Sequence, residues 1–361
     1  MIPWTLNVYF FKRYLLTIFW FVAGVVSLIF LIDFNETSNQ MAGLPGYTVT
    51  GGLLMTALRL PLILQQTIPF VVLFAGMTTL IALNRKYELV VTRAAGISVW
   101  QFMAPFVVAS LFTGLLAVGV LNPLAAWGQR TALSVESKWQ GKKPQTKNDA
   151  PPWLRQIYES DDAIIGADTV LEDGLLLDGV VVIHFSSDGA IILRQDAATA
   201  KLEDGYWLLK DVQETRPGEV VSRKAEVKMP TNLKADFVRQ RLSTPETVAF
   251  YDLSKKIEAA KSFGLSTKAL ETQFHSLLSL PLLLVAMTLI SATVTLRFSR
   301  FAQPSAVILG GILSGFVLYV VTVLVKAFGS SGVVPPFIAT WIPVFVAMAL
   351  GSTILLHQED G

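Results

Sequence analysis

Six uncharged stretches set the pattern of this chain: Tyr14–Ile32, Leu60–Leu83, Ile97–Gln129, Thr272–Leu296, Phe301–Val325 and Ala327–Leu356. The shortest has 19 residues and the longest 33. A helix needs about 20 apolar residues to cross the hydrocarbon core of a bilayer. Each stretch therefore predicts one span, and the two longest are expected to include loop at one end. The order is three spans, a polar middle, then three more.

The middle follows another period. Short alternating or β-branched runs occur at Gln156–Tyr158, Ala163–Ala167, Gly179–Phe185, Ala190–Arg194, Trp207–Val212 and Val220–Val227. Turn signals separate them at Asp173-Gly174, Asp178-Gly179, Asp188-Gly189, Asp204-Gly205 and Pro217-Gly218. Strands at this spacing predict an antiparallel sandwich or jelly roll. Ser243–Gly264 then reads as a helix, with Ser243 or Thr244 as cap, Pro245 in the first turn and Gly264 at its end. The expected fold is thus a polytopic α-helical membrane protein with an inserted all-β, jelly-roll-like domain. The expected division is 1–129, 130–269 and 270–361.

Charge orients the spans. Lys12 and Arg13 precede span one, Arg85, Lys86 and Arg93 lie between spans two and three, and Arg297 and Arg300 lie between spans four and five. The other side has Asp33 and Glu36, then no basic residue until Arg59. The positive-inside rule puts both termini in the cytoplasm and the middle domain outside. No small-residue cleavage site follows the first apolar run, so it reads as a retained span.

Composition narrows function by exclusion. Charged residues are 16% of the 361, against roughly 25% in a soluble domain. A net charge of +2 gives no reason to expect nucleic acid. The absence of cysteine removes disulfides and thiolate chemistry. No GxxxxGK[ST] phosphate loop, GxSxG or HExxH occurs. His184, His275 and His357 are scattered, and Asp161-Asp162 reads as a solvated turn.

Two sets of residues then stand out. The first is the short segment Asn84–Trp100, with Arg85, Lys86, Glu88 and Arg93 followed by Ala94-Ala95-Gly96. It reads either as a short helix that another protein grips or as a solvated loop. Glu88 is the lone acid among seven basic residues of the short cytoplasmic segments, and Arg85 three residues before it is a weak local partner. The second set is intramembrane. Gln65 and Gln66 sit between Pro61 and Pro69 in span two, for interhelical hydrogen bonding or for shaping a path. Arg59 and Lys326 fall near outer span ends, where snorkelling is the default. Gly310-Gly311, Ser314 and Gly315 give span five a smooth stretch for permanent packing or for a gate.

With these motifs the chain resembles the lipopolysaccharide-export permease family LptF/LptG, nearer in overall look to its LptG side. The resemblance rests on RLPLILQQTIPF, YELVVTRAAGIS at Tyr87–Ser98, Trp153-Leu154-Arg155, DGYWLL at Asp204–Leu209, SLPLLLVAMTL at Ser279–Leu289, TLRFSR and VVPPFIATWIP. It implies a permease subunit of an ABC transporter in a Gram-negative inner membrane. That transporter extracts lipopolysaccharide from the outer leaflet and passes it to a periplasmic LptC–LptA bridge. It also implies a paralogous permease as heterodimer partner and an LptB-type ATPase dimer holding the ATP and Mg2+, with no cofactor on this chain. The family's coupling glutamate matches Glu88, with Arg85, Arg93, Ala94 and Gly96 around it. Spans one and five would line the lipid gate, so Ile29, Gly311, Gly315 and Phe316 join Arg59 and Lys326 as path residues. One departure is that LIFLIDFNE, at the outer end of span one, carries only acids where family members often have a basic residue. Two other classes remain: another ABC-type permease, such as a lipoprotein-release or macrolide-exporter subunit, whose four spans fit this chain poorly, and a membrane anchor whose β domain binds a ligand.

Overall fold

Long apolar runs become helices because a helix satisfies every backbone polar group internally. The computed structural model describes residues 4–43, 46–139, 153–158, 161–171, 176–186, 190–203, 205–218, 220–231, 245–262, 266–296 and 305–360. Among these, six helices are long and apolar enough to cross a membrane. Helix α1 is Trp4–Met41 and α2 is Val49–Arg85, which runs through Pro61 and Pro69. The short α3 is Glu88–Ala94. Helix α4, Val99–Leu116, starts at a capping box in which Gln101 N–H donates to Ser98 Oγ and Ser98 N–H to Gln101 Oε1. It does not end in loop. A π-helical turn, Ala117–Leu121, joins it to α5, Asn122–Trp139. After the strands come a 3-10 turn at Pro245–Thr247, then α6 (Phe250–Ser262), α7 (Lys268–Thr295), α8 (Ser305–Ser331) and α9 (Pro336–Asp360). The expected caps Ser243, Thr244 and Gly264, and the basic pair Arg297 and Arg300, lie outside the described residues.

Contacts divide the chain into two units. One holds Met1–Gln40, Val49–Thr131 and Pro245–Gly361, and the other Met41–Thr48 and Ala132–Thr244. The first is a bundle centred on α2, α4 and α7, with Leu73, Leu80, Phe102, Phe106, Leu284 and Met287 in its core. Small residues let these helices touch. A Cβ on Gly114 would lie 2.4 Å from Pro281 Cα, and one on Gly76 would lie 2.3 Å from Ser291 Oγ. Helix α1 packs most deeply through Phe10, Tyr14 and Ile18, at helical spacing, with Phe21, Val22 and Val25 half-buried against the core beyond them. The buried Tyr14 hydroxyl donates to the Val72 carbonyl (3.1 Å) and shares a hydrogen bond with Thr288 (3.0 Å), tying α1 to α2 and α7.

The second unit is one six-stranded antiparallel sheet in sequential order: β1 Trp153–Tyr158, β2 Asp161–Leu171, β3 Leu176–Phe185, β4 Ile191–Glu203, β5 Tyr206–Thr215 and β6 Ser222–Pro230. The all-β insertion is as expected, and its strand order is that of a meander. It curls, because Gln156 of β1 donates from Nε2 to the Pro230 carbonyl (3.1 Å) and accepts from Thr231 Oγ1 (2.7 Å). Two sequence readings fail here. Asp161-Asp162 begins a strand rather than making a turn, and Asp178-Gly179 lies inside β3. Gly179 (φ 62°) and Asp211 (φ 52°) take left-handed backbone, and pairing skips Gly179, Ala198, Asp211 and Ala225 in a line across the strands. Buried positions therefore step by three, Leu177 to Val180 and Leu209 to Val212, where a flat strand steps by two. The buried face ends in a polar ladder. His184 Nε2 meets Gln195 Oε1 (3.2 Å), Gln195 Nε2 donates to Glu214 Oε1 (2.8 Å), and Lys224 Nζ pairs with Glu214 Oε2 (2.9 Å).

Candidate functional site: the α3 segment and its attachments

Arg85 ends α2 and is exposed. Tyr87 then turns the chain through a left-handed residue (φ 60°), and α3 begins at Glu88, where an acid suits the positive end of a helix. Seven residues later the helix stops in a Schellman motif: Gly96 N–H bonds to the Arg93 carbonyl (2.9 Å) and Ile97 N–H to the Thr92 carbonyl (3.3 Å). Gly96 has φ 80° with open space around its absent side chain. Its glycine is thus required by the helix end, and not by a neighbour within this chain. Leu89 and Thr92 are buried. The rest of the segment faces outward: Tyr87, Val90, Val91, Ala94, Ala95, Gly96 and Trp100 are all exposed. This is a short capped helix with a small-residue, apolar outer face.

Glu88 does not pair with Arg85. Arg13, 75 residues earlier on α1, donates from Nη1 to both carboxylate oxygens (3.0 and 3.2 Å). The Tyr9 hydroxyl donates to Glu88 Oε2 (3.0 Å) and accepts from Arg13. The Arg13 guanidinium also lies over the Tyr9 ring, 5.7 Å from its centre. The Arg13 and Glu88 side chains are only 21% and 29% exposed, so the pair belongs near the top of the ~0.2–1 kcal/mol of surface ion pairs. Arg93 is half-buried at the last turn of α3. Tyr9 and Arg13 were missed as site residues. In the sequence Arg13 carries a topology signal, and the one local hint of a pair is Tyr9, four residues before it on the same helix face.

The expected path residues fall in separate places. Gly311 is buried, and a Cβ there would lie 2.7 Å from Val294 Cγ2 of α7. A Cβ on Gly315 would lie 2.3 Å from Leu73 Cδ2 of α2. These two glycines therefore pack α8 onto the bundle, whereas Gly310 faces open space. Phe316 is exposed beside them, Ile29 is half-buried on α1, and Arg59 is half-buried on α2. Lys326 does not snorkel outward. Its Nζ donates to Gln273 Oε1 of α7 (2.8 Å), within the field of Glu246.

Gln65 makes the interhelical contact, accepting from Asn122 Nδ2 (3.3 Å), while Gln66 is exposed. Asn122 is buried just after the π turn, and its Oδ1 accepts the Phe250 N–H that opens α6 (2.8 Å). Tyr251 donates to the Gly119 carbonyl inside the π turn (3.2 Å). Nearby, burial and the Arg130 charge hold the Lys256 ammonium below its ordinary range.

The family model described as lipopolysaccharide export system permease LptF/LptG matches residues 8–357. The chain is similar to the lipopolysaccharide export system permease protein LptG of Escherichia coli K12, 23% identical over 346 residues and covering 93% of each chain. The protein of the same name from the O6:H1 strain CFT073 matches with the same identity and coverage.

Proposed function

We infer a role in moving lipid across the envelope, because this chain belongs to the lipopolysaccharide export system permease family LptF/LptG. It is a multi-pass inner-membrane permease with an inserted β domain. Our reading of its parts goes further. The α3 segment docks onto a separate cytoplasmic ATPase, which holds ATP and Mg2+. Glu88 meets a basic group there, and the small outer face at Ala94–Gly96 lets the backbones approach. Both termini lie in the cytoplasm and the β domain in the periplasm. The exposed apolar faces of α1 and α8 take the paralogous permease and the lipid, and the curled sheet hands lipopolysaccharide to a periplasmic bridge protein. The observation that carries the docking assignment is the largely exposed α3, closed by a Schellman motif, between two spans.

The test is Glu88→Lys in the complex, with ATPase recovery and lipopolysaccharide release per ATP read in proteoliposomes. Truncating one side of a partly desolvated charge pair costs roughly 2–5 kcal/mol at an interface, and reversal costs more. Loss of the ATPase or of release is expected. Normal transport with the ATPase fully bound removes the assignment. For the path, photocrosslinkers at Ile29 and Phe316 should capture lipopolysaccharide. Equal labelling at the exposed Phe345 of α9 with none at those two positions would exclude it.

A further inference from the structure

We propose that Arg13, held by Tyr9, is a positioning residue that couples α1 to α3, so that movement of the ATPase-facing segment is delivered to span one as a lever. The proposal rests on the docking assignment above.

The deepest attachment of α1 to the bundle lies near its start. Phe10, Tyr14 and Ile18 are buried, Phe21, Val22 and Val25 pack half-buried against the core, and beyond them Thr37 is the one buried residue up to Gln40. Within that short anchor two polar ties differ in kind. Tyr14 is fully buried and bonded to α2 and α7, which makes it a fixed point. One residue before it, Arg13 projects about 100° round the helix from Tyr14 and meets Glu88, the first residue of α3. Tyr14 thus ties α1 to the inner helices, and Arg13 with Tyr9 ties it to α3.

The geometry amplifies. From Tyr14 back to Tyr9 the helix runs ~8 Å and forward to Ile32 ~27 Å, at 1.5 Å per residue. A rigid α1 tilting about its buried Phe10–Ile18 stretch turns a displacement at its Glu88 end into a larger one at Ile32, because the outer arm is the longer. The half-buried Ile29 lies on that outer arm. The Glu88 carboxylate also has capacity to spare. A carboxylate accepts about four hydrogen bonds, and the two from Arg13 and the one from Tyr9 leave a site for a partner's cation. Docking therefore does not require the tie to open.

The experiment uses the intact complex in proteoliposomes, comparing Arg13→Ala, Arg13→Gln and Arg13→Lys with Lys12→Ala, an exposed neighbour that removes the same topology charge. Two quantities are read: lipopolysaccharide released per ATP hydrolysed, and the nucleotide-driven change in spin-label distance between Ile32 and a reference on α7. Arg13→Ala and Arg13→Gln should lower release per ATP about 5- to 10-fold, at the low end of couplings exchanged between sites. Both should abolish the distance change at Ile32. Arg13→Lys should recover part of each, and Lys12→Ala should match the native chain. If Arg13→Ala fails to assemble, Arg13→Gln carries the test. A native distance change and release ratio in an assembled neutral Arg13 variant overturns the lever. Failure of the docking assignment looks different: the native chain recovers no ATPase, or Glu88→Lys leaves its recovery and transport unchanged.

Discussion

Six helices of this bundle are apolar enough to cross a membrane, but they are unequally placed. In α2 and α7, 61% and 72% of the most apolar stretch is buried, while α1 and α8 bury 6% and 11%. Mean hydropathy does not separate them, since α1 at 2.7 exceeds α7 at 2.2. Lipid is as apolar as leucine, so hydrophobicity sends a helix into the membrane without choosing its neighbours. Small and hydroxylated residues make that choice. The inner helices meet at Gly76, Gly114 and Ser291, whereas Gly24 of α1 and Gly310 of α8 face open space. The lightly held helices are the ones free to meet another chain or a lipid.

One substitution carried across both regions tests this. Gly114→Leu should have the largest effect, because the backbone of Pro281 at 2.4 Å cannot swing aside. A cost beyond ~3 kcal/mol is expected, the upper end of overpacking, read as loss of folded protein in detergent. Gly311→Leu comes next. It meets the stiff, branched Val294 and should cost about 1–3 kcal/mol, loosening α8 while the inner helices stay folded. Protease protection of α8 against α7 would check it. Tyr14→Phe removes two hydrogen bonds at the anchor of α1. About 0.6 kcal/mol per bond is expected in a membrane, read as a lower unfolding midpoint. Gly24→Leu and Gly310→Leu should change stability by no more than ~0.5 kcal/mol, and a large loss at either would break the comparison.

The sheet sharpens the contrast, since it buries a carboxyl, Glu214, in a polar ladder. The hydrogen bond from Lys224 holds the Glu214 carboxyl below its ordinary range, with Gln195 adding to it against burial. A carboxyl with a depressed folded pKa contributes stability that is fully present above the unfolded value of about 4.3 and is lost as pH falls through the folded value. Fluorescence of the buried Trp207 should therefore report acid loosening of the sheet below about pH 4, and Glu214→Gln should flatten that dependence.

The spans and the β insertion were legible because uncharged length and strand alternation are local signals. Glu88 was legible as an acid among bases. Its partner was not, because nothing local links Arg13 to a residue 75 positions on. Asp178-Gly179 misled for a related reason. A left-handed glycine serves a turn and a mid-strand crease alike, and only the pairing of β2 and β4 distinguishes them. Gly311 and Gly315 were visible as a contact face, yet which helix they touch is a property of the packed bundle.

The π turn at Ala117–Leu121 also has a genealogical meaning. Such a turn is one residue more than an α-helix needs at that place. Deleting a single residue there would restore a regular helix, rotate everything beyond it by about 100°, and take the Asn122 amide away from Gln65 and Phe250. A one-residue length difference between relatives at this point is therefore not drift in a spacer. It records whether the junction of α2, α5 and α6 exists at all.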